Sequence, residues 1–448
     1  MKKTTLVAMV LIVGIAVTGG AETVTTASLL RQMTDMEALT RYPDPDYKTV
    51  QFSSYDRRSK APYREGWYAN SDGFGSEPIP GFVEVVEEPG EDGTGTYLMA
   101  DVEGPGAVVR TWSARIGGTL RLYLDGAEEP VYDGPAQKFL QDPYAALGGD
   151  GGSGYDQREA GYFPIPFAER CRIEWTGRLD RIHFYQIQVR RYEEGTDVQT
   201  FRPTDLEDNR QLIRQISETL STPGDMSTES VVRQKSFELK VPADGRKTLY
   251  ETQHGPAAIS HFMVSVDADD VERALRRIIL RIHFDGSPDP QVEAPLGDFF
   301  ASGPGVIPFS TLPMTVKPDG TMTCRFLMPF AESARIEVEN WSGSDARVNG
   351  RVAVSEYSWS EDRSMHFYAR WRADHGLMAG HGGTPDDITI ESVAAAFDRL
   401  DLSRDASTEE VRDAYRDRVK RVHPDNGGSQ AEFKRLQEAY ATAREHAD

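Results

Sequence analysis

Cysteine is nearly absent from this chain: 448 residues hold two, Cys171 and Cys324. Two thiols cannot build a disulfide framework, so the fold must rest on buried apolar surface, and isolated buried thiols are expected. Positive charge is also short, with 50 Lys and Arg against 71 Asp and Glu and a net charge of −21. That field repels phosphate and excludes general binding to nucleic acid or anionic lipid. Long apolar runs are missing except at the start, where Leu6 to Val17 follows Lys2 and Lys3. Gly19 and Ala21 supply small residues at −3 and −1 of a cleavage after Ala21, so residues 1–21 read as an export signal. The run is shorter than the roughly 20 residues that span a bilayer. No Cys follows it, which argues against a lipid anchor.

What is present is globular in composition, 39% hydrophobic and 10% aromatic, and long enough for two or three domains. An arm over 22–50 begins with a short helix expected from Ser28 to Leu39, with Ser28 as N-cap and Leu29, Met33, Met36 and Leu39 on one face. From Gln51 to about Arg372, short runs of Val, Ile, Tyr and Phe alternate with Gly, Pro, Asp and Asn, the pattern of turn-rich β structure.

That region contains a duplication. Residues 120–140 (LRLYLDGAEEPVYDGPAQKFL) match 280–300 (LRIHFDGSPDPQVEAPLGDFF), placing Asp125 on Asp285 and Gly126 on Gly286. Upstream, GPGAVVRTW (104–112) echoes GPAAISHFM (255–263); downstream, PFAERCRIEW (166–175) echoes PFAESARIEV (329–338). Three landmarks in one order define a repeated unit. The expected architecture is mostly β: two jelly-roll sandwiches in tandem, 51–203 and 204–373, followed by a small all-α domain. The stretch from Thr204 to Leu220 reads as polar helix between them. A Gly-rich linker over 374–387 carries His375 and His381, which read as solvated rather than metal-binding. GGDGGSG (148–154) lacks the G-K-[ST] ending of a phosphate loop and reads as a turn. No cofactor or metal site is expected.

Over 388–448 the periodicity turns helical. Ser407 with Glu410 and Ser429 with Glu432 are capping boxes, and Val411, Ala414, Tyr415, Val422, Phe433, Leu436, Ala439 and Tyr440 form apolar faces. The string AYRDRVKRVHPDNGGSQAEFKRLQEAY (414–440) resembles a J domain. Arg412, Arg416 and Lys420 share one helix face by their spacing of four. The resemblance implies that this face meets an acidic surface of a DnaK-type chaperone. It further implies that Pro424 fixes the loop, Asp425 pairs with a chaperone arginine, and His423 packs at the same junction. The output would be ATP hydrolysis stimulated in the partner.

The β-rich body resembles glycoside hydrolase family 172 through FSSYDRR (52–58), ADVEGPGAVVRTW (100–112), the two Leu-Arg-…-Asp-Gly strands, APLGDFF (294–300), CRFLMPFAESARIEVEN (324–340) and MHFYARWR (365–372). The family implies double jelly rolls assembled as trimers or hexamers, acting on fructofuranosides or arabinofuranosides. The sequence departs from the family by lacking its EGDE-like and GTEDY-like motifs, so the resemblance assigns no catalytic residue. Retaining hydrolysis needs a nucleophile and an acid/base carboxyl about 5–5.5 Å apart. Asp56, Asp72, Glu169 and Glu332 are the carboxylates that could substitute. Glu169 and Glu332 occupy matched repeat positions, which points to structure, and Asp125 and Asp285 are accounted for by turns. Asp56, Arg57, Trp67, Asn70 and Trp112 could line a sugar groove, although a buried pair with core aromatics is the simpler reading.

The two resemblances give incompatible addresses. An export signal sends the chain to the periplasm or cell surface, whereas DnaK and ATP are cytoplasmic. A fusion that replaced a hydrolase's end, action of the J domain before export, and an artefact of the reading frame all remain open.

Overall fold

The computed structural model describes residues 23–55, 81–150, 154–223 and 231–372. In the C-terminal module it describes 396–397, 399–402, 406–422, 436–437, 439–440 and 443–444, without the side chains of 420 and 421. The stretches read as a signal (1–21) and as a linker (374–387), with His375 and His381 in the latter, lie outside the described residues.

Alternation builds the sheets. Strand Arg170–Arg178 turns Cys171, Ile173, Trp175 and Gly177 inward, and Thr119–Leu124 buries Leu120, Leu122 and Leu124. These strands belong to a five-stranded sheet ordered 84–87, 94–103, 170–178, 119–124 and 132–135. Facing it is a sheet ordered 47–53, 186–192, 106–112, 160–161 and 156–157, with 165–167 also paired to 106–112. Between them lies a core that includes Trp175, Tyr185, Phe139 and Phe167.

The second sandwich repeats this order. One sheet runs 231–241, 346–356, 257–267, 322–324, 314–316 and 309–310, with 328–330 also on 257–267. The other runs 246–252, 334–340, 278–284, 292–295 and 369–370, the last pair parallel. Even irregularities recur. Strand 106–112 slips register at Val109 against 186–192, and strand 257–267 slips at the matching Ser260 against 346–356. The fold is therefore mostly β, two sandwiches of paired sheets, as expected.

The landmarks that revealed the duplication meet in space. Asp125 and Gly126 have φ of 52° and 70°, and Asp285 and Gly286 have 53° and 68°. Both are type I′ turns closed by Ala127 N to Leu124 O at 3.1 Å and Ser287 N to Phe284 O at 3.1 Å. Turn geometry is only half of the aspartate's role. The Asp125 carboxylate accepts from the amides of Glu169 (2.7 Å) and Arg170 (3.1 Å), and from the Thr200 hydroxyl. Asp285 accepts from the amides of Ala331 (2.9 Å), Glu332 (2.7 Å) and Ser333 (2.9 Å), with His366 Nε2 at 2.8 Å. The Gly-Pro turn joins the same knot, since Gly104 N donates to Glu169 O and Gly255 N to Glu332 O. The structural role anticipated for Glu169 and Glu332 thus belongs to their backbones, and both side chains are exposed.

Two boundaries move. The arm's helix is Thr26–Gln32, capped by Thr25, with Ser28 as its reciprocal capping-box partner rather than the N-cap. A 3-10 turn, Ala38–Thr40, follows, and Leu39 is 61% exposed instead of lying on a buried face. The helices Asp205–Asp208 and Arg210–Ser221 bury Ile213 and Ile216 in the first sandwich's core, so this segment is a layer of the first unit. The second sandwich's strands begin at Val231. The arm touches both units: Val24 bridges Val198, while Thr40 Oγ1 meets the Tyr357 hydroxyl at 2.9 Å and Tyr42 N donates to Arg363 O.

In the C-terminal module the helix Thr408–Val422 opens with the anticipated capping box: Ser407 N to Glu410 Oε2 is 2.8 Å and Glu410 N to Ser407 Oγ is 3.3 Å. Phe397, Leu400, Val411, Leu436 and Ala439 share a small core, with Tyr415 stacked on Tyr440 at 4.1 Å.

Candidate functional site

Asp56, Arg57, Trp67 and Asn70, and the carboxylate candidate Asp72, lie outside the described residues. Of the five groove residues, only Trp112 can be followed. It is half-buried at the end of strand 106–112, opposite Gln186 on one neighbouring strand and Ala160 on the other. Opposite residues share a face of a sheet. Register therefore sets Trp112 and Arg110 beside Gln186 and Gln188 on the solvent side, with Gln51 opposite Gln188.

These groups are tied to one another. Arg110 Nη1 donates to Gln186 Oε1 at 2.8 Å, Gln188 Nε2 to Gln51 Oε1 at 2.9 Å, and Arg190 Nη1 to Gln32 Oε1 at 2.8 Å. Each glutamine amide carries two donor hydrogens and two acceptor lone pairs, so capacity remains after one bond. Between this face and the arm helix is a cleft of about 290 Å³, lined by Gln32, Met33, Arg110, Tyr162, Gln188 and Arg190. The glutamines were not singled out in the sequence, although their alternation along QIQVRRY (186–192) signals one exposed face.

Acid–base chemistry is poorly served by the described carboxylates. On the outer face of sheet 246–252/334–340/278–284/292–295, Arg281 lies between Glu293 at 2.7 Å and Glu339 at 2.5 Å. Arg246 bridges Glu337 at 3.2 Å and Glu339 at 3.1 Å. The hydrogen bond from Arg281, then that from Arg246, holds the Glu339 carboxyl below its ordinary range. A general acid needs the opposite shift. Among the described carboxylates Asp156 has it: burial first, and then Asp142, push it up, and its Oδ1 is buried without a partner. Asp142, however, is committed to capping Pro143–Ala146 through Ala145 N at 2.9 Å. Among the described residues no group of His, Cys, Asp or Glu could hold a metal ion. Cys171 and Cys324 are free and buried, and burial pushes the Cys324 thiol up to about 12.

His423, Pro424 and Asp425, and the side chain of Lys420, lie outside the described residues. Arg412 and Arg416 are exposed one turn apart on Thr408–Val422, and Arg416 also meets Asp413 at 3.5 Å.

Comparison with known proteins fits this division. The model for the GH172 first β-sandwich domain matches residues 45–209, a GH172 domain-like model matches 230–351, and the DnaJ domain model matches 395–445. Chaperone protein DnaJ of Streptococcus agalactiae is 45% identical over 49 residues, 10% of this chain. The chain spans only 13% of that relative's length. Among solved structures, the major capsid protein P2 of bacteriophage PM2 matches at 7% identity and a TM-score of 0.19, over 70% of this chain and 99% of that one. AerE from Microcystis aeruginosa matches at 10% identity and a TM-score of 0.13, over 58% and 86%. Scores this low carry no argument about fold or function. With two GH172-type domains across most of its length, the chain belongs to the GH172-like proteins and carries a DnaJ domain C-terminal to them.

Proposed function

We propose that this is an exported carbohydrate-binding protein of the GH172-like type that does not hydrolyse its ligand. The observation that carries the reading is the solvent face of the first sandwich, where an indole, a guanidinium and three glutamine amides lie side by side. Planar amides and guanidinium groups suit paired sugar hydroxyls, and an aromatic face suits the C–H side of the ring. The lack of hydrolysis rests on the missing family motifs and on arginine-held carboxylates such as Glu339. The ligand class, by resemblance, is a fructofuranoside or arabinofuranoside, and assembly as trimers or hexamers is expected on the same ground.

Titration calorimetry with arabinan and fructan oligosaccharides tests the binding. Trp112→Ala and Gln188→Leu are each expected to weaken it at least fivefold, and unchanged affinity in both would end the proposal. Aryl furanosides test the second half: turnover above that of heat-inactivated protein would show a hydrolase with relocated carboxylates.

A second reading concerns the C-terminal module, which keeps its capping box, its tyrosine stack and two exposed arginines. We propose that it engages a DnaK-type ATPase. The full chain should raise DnaK ATP hydrolysis and His423→Gln should abolish the effect. A wild-type chain without stimulation would refute this, and the cellular address of a tagged chain would show where such an encounter can occur.

A further inference from the structure

The second sandwich has the same solvent face as the first, with different chemistry on it. Aligning 104–112 with 255–263 puts His261 at the place of Arg110 and Met263 at the place of Trp112. On the neighbouring strand Gln186 stands opposite Trp112, whereas Arg351 stands opposite Met263. One strand further out, Ser53 faces Gln186 and Ser236 faces Arg351. The indole and amide of the first face have become a thioether and a guanidinium.

This face forms the larger hollow. A pocket of about 580 Å³ is lined by Ser236, Met263, Ser265, Thr321, Asn349 and Arg351, a size suited to a small organic ligand. Its lining holds one cation, Arg351, and one carboxylate, Glu238. Among the described residues Arg351 has no carboxylate partner. Arg325, which together with Arg351 acts on His261, is only 6% exposed and bonds to the carbonyls of Thr311 and Leu312 and to the Thr315 hydroxyl, none of them anionic. Glu238 also borders the pocket, and its nearest cation is Arg347 at 4.0 Å, opposite on the register from Lys240. Burial, and then the fields of Arg325 and Arg351, push the His261 imidazole down, as expected beside cations that lack counter-ions. Among the lining residues Asn349 has a buried Oδ1 with no hydrogen-bond partner, and on the neighbouring strand so does His261 at Nδ1. Unsatisfied buried polar atoms call for a partner from outside the chain.

We infer that this pocket binds a polyhydroxy carboxylate of uronic-acid type. Arg351 takes the carboxylate, and Ser236, Ser265, Thr321 and Asn349 take the ring hydroxyls. A guanidinium recognises a carboxylate through two parallel N–H bonds, which makes Arg351 the determinant of charge selectivity. Neutral sugars lack that partner, and simple anions lack the hydroxyls. The site is separate from the Trp112 face and does not depend on that face binding anything.

Titration of the full chain with D-galacturonate, D-galactose, acetate and inorganic phosphate tests the inference. Galacturonate should bind at least tenfold more tightly than the other three. Arg351→Gln should lower its affinity at least tenfold, while Trp112→Ala leaves it unchanged. Met263→Glu, which sets a carboxylate beside Arg351, should have the same effect as Arg351→Gln and decides the matter if Arg351→Gln does not fold. Equal binding of galactose would remove the role of charge, and phosphate or acetate matching galacturonate would reduce the site to a plain anion pocket. Galacturonate that fails to bind, or that binds equally to a folded Arg351→Gln or Met263→Glu chain, overturns the proposal.

Discussion

Asp285 binds three amides of the loop at 331–333 and His366, so its carboxylate joins segments about 80 residues apart along the chain. Asparagine fits the left-handed turn but has one carbonyl oxygen in place of two anionic ones. Asp285→Asn should therefore cost about 1.5–3 kcal/mol, the range for hydrogen bonds to a charged group, read as a lower urea midpoint. The pH dependence follows from the direction of the shift. Burial opposes the charged form of Asp285, but the amides of Ser333, Ala331 and Glu332 and then His366 outweigh it and hold the carboxyl below 3.8. Asp125 is likewise lowered, against burial, by Thr200 and the amides of Glu169 and Arg170. A depressed carboxyl stabilises the fold above its unfolded value and loses that contribution as pH falls through the folded one. Stability measured from pH 5 downward should thus fall below about pH 4, and less steeply in Asp125→Asn/Asp285→Asn. The turns were legible from Asp-Gly alone. The clamp was not, because its partners lie 44 and more residues away and local pattern does not encode such pairings.

The arm's helix has seven residues, too few to persist alone in water. Leu30, fully buried in the first sandwich's core, holds it together with buried Leu29 and the Thr26 hydroxyl, which donates to Asp205 at 3.0 Å. Leu30→Ala should cost about 2–5 kcal/mol and raise amide exchange over 26–32 well before the sheets open, which hydrogen-exchange mass spectrometry would detect. The element was readable but its start was not. Thr25 and Ser28 are both good caps three residues apart, and apolar spacing alone cannot tell an N-cap from its capping-box partner. The segment at 205–221 failed for a related reason. Its polar composition resembles a connector, and only the packing of Ile213 and Ile216 reveals a covering layer. The capping box at Ser407, by contrast, was fully legible because both partners are local. Ser407→Ala should destabilise that helix by about 0.5–2 kcal/mol.

At the scale of the whole molecule, the described residues form a large core in each sandwich, a small cluster of Val24, Leu29, Ala107, Tyr192 and Val198 under the arm, and a small core in the C-terminal module. A module of some 60 residues buries too little surface to match a sandwich, so calorimetry should resolve a lower transition for the J domain and a higher one for the body. Ser407→Ala should move only the lower. A single transition that Ser407→Ala and Leu30→Ala both shift would instead mean that module and body unfold together. The tandem architecture was the most legible feature of the sequence, since duplication repeats its signal. The polar faces were less so: a glutamine or an arginine on a strand looks solvated until register shows what stands beside it.

Geometry leaves a matched mark in the two halves. A Cβ on Gly104 would lie 2.6 Å from the Ala168 carbonyl oxygen, and one on Gly255 would lie 2.2 Å from that of Ala331. Backbone cannot retreat as a flexible side chain can, so neither position has a tolerable substitute. A survey of random variants should find these two positions as a matched pair of silent columns, even if the exposed surfaces around them have drifted beyond recognition. Such twin vetoes would keep the kinship of the halves traceable long after their surfaces had diverged.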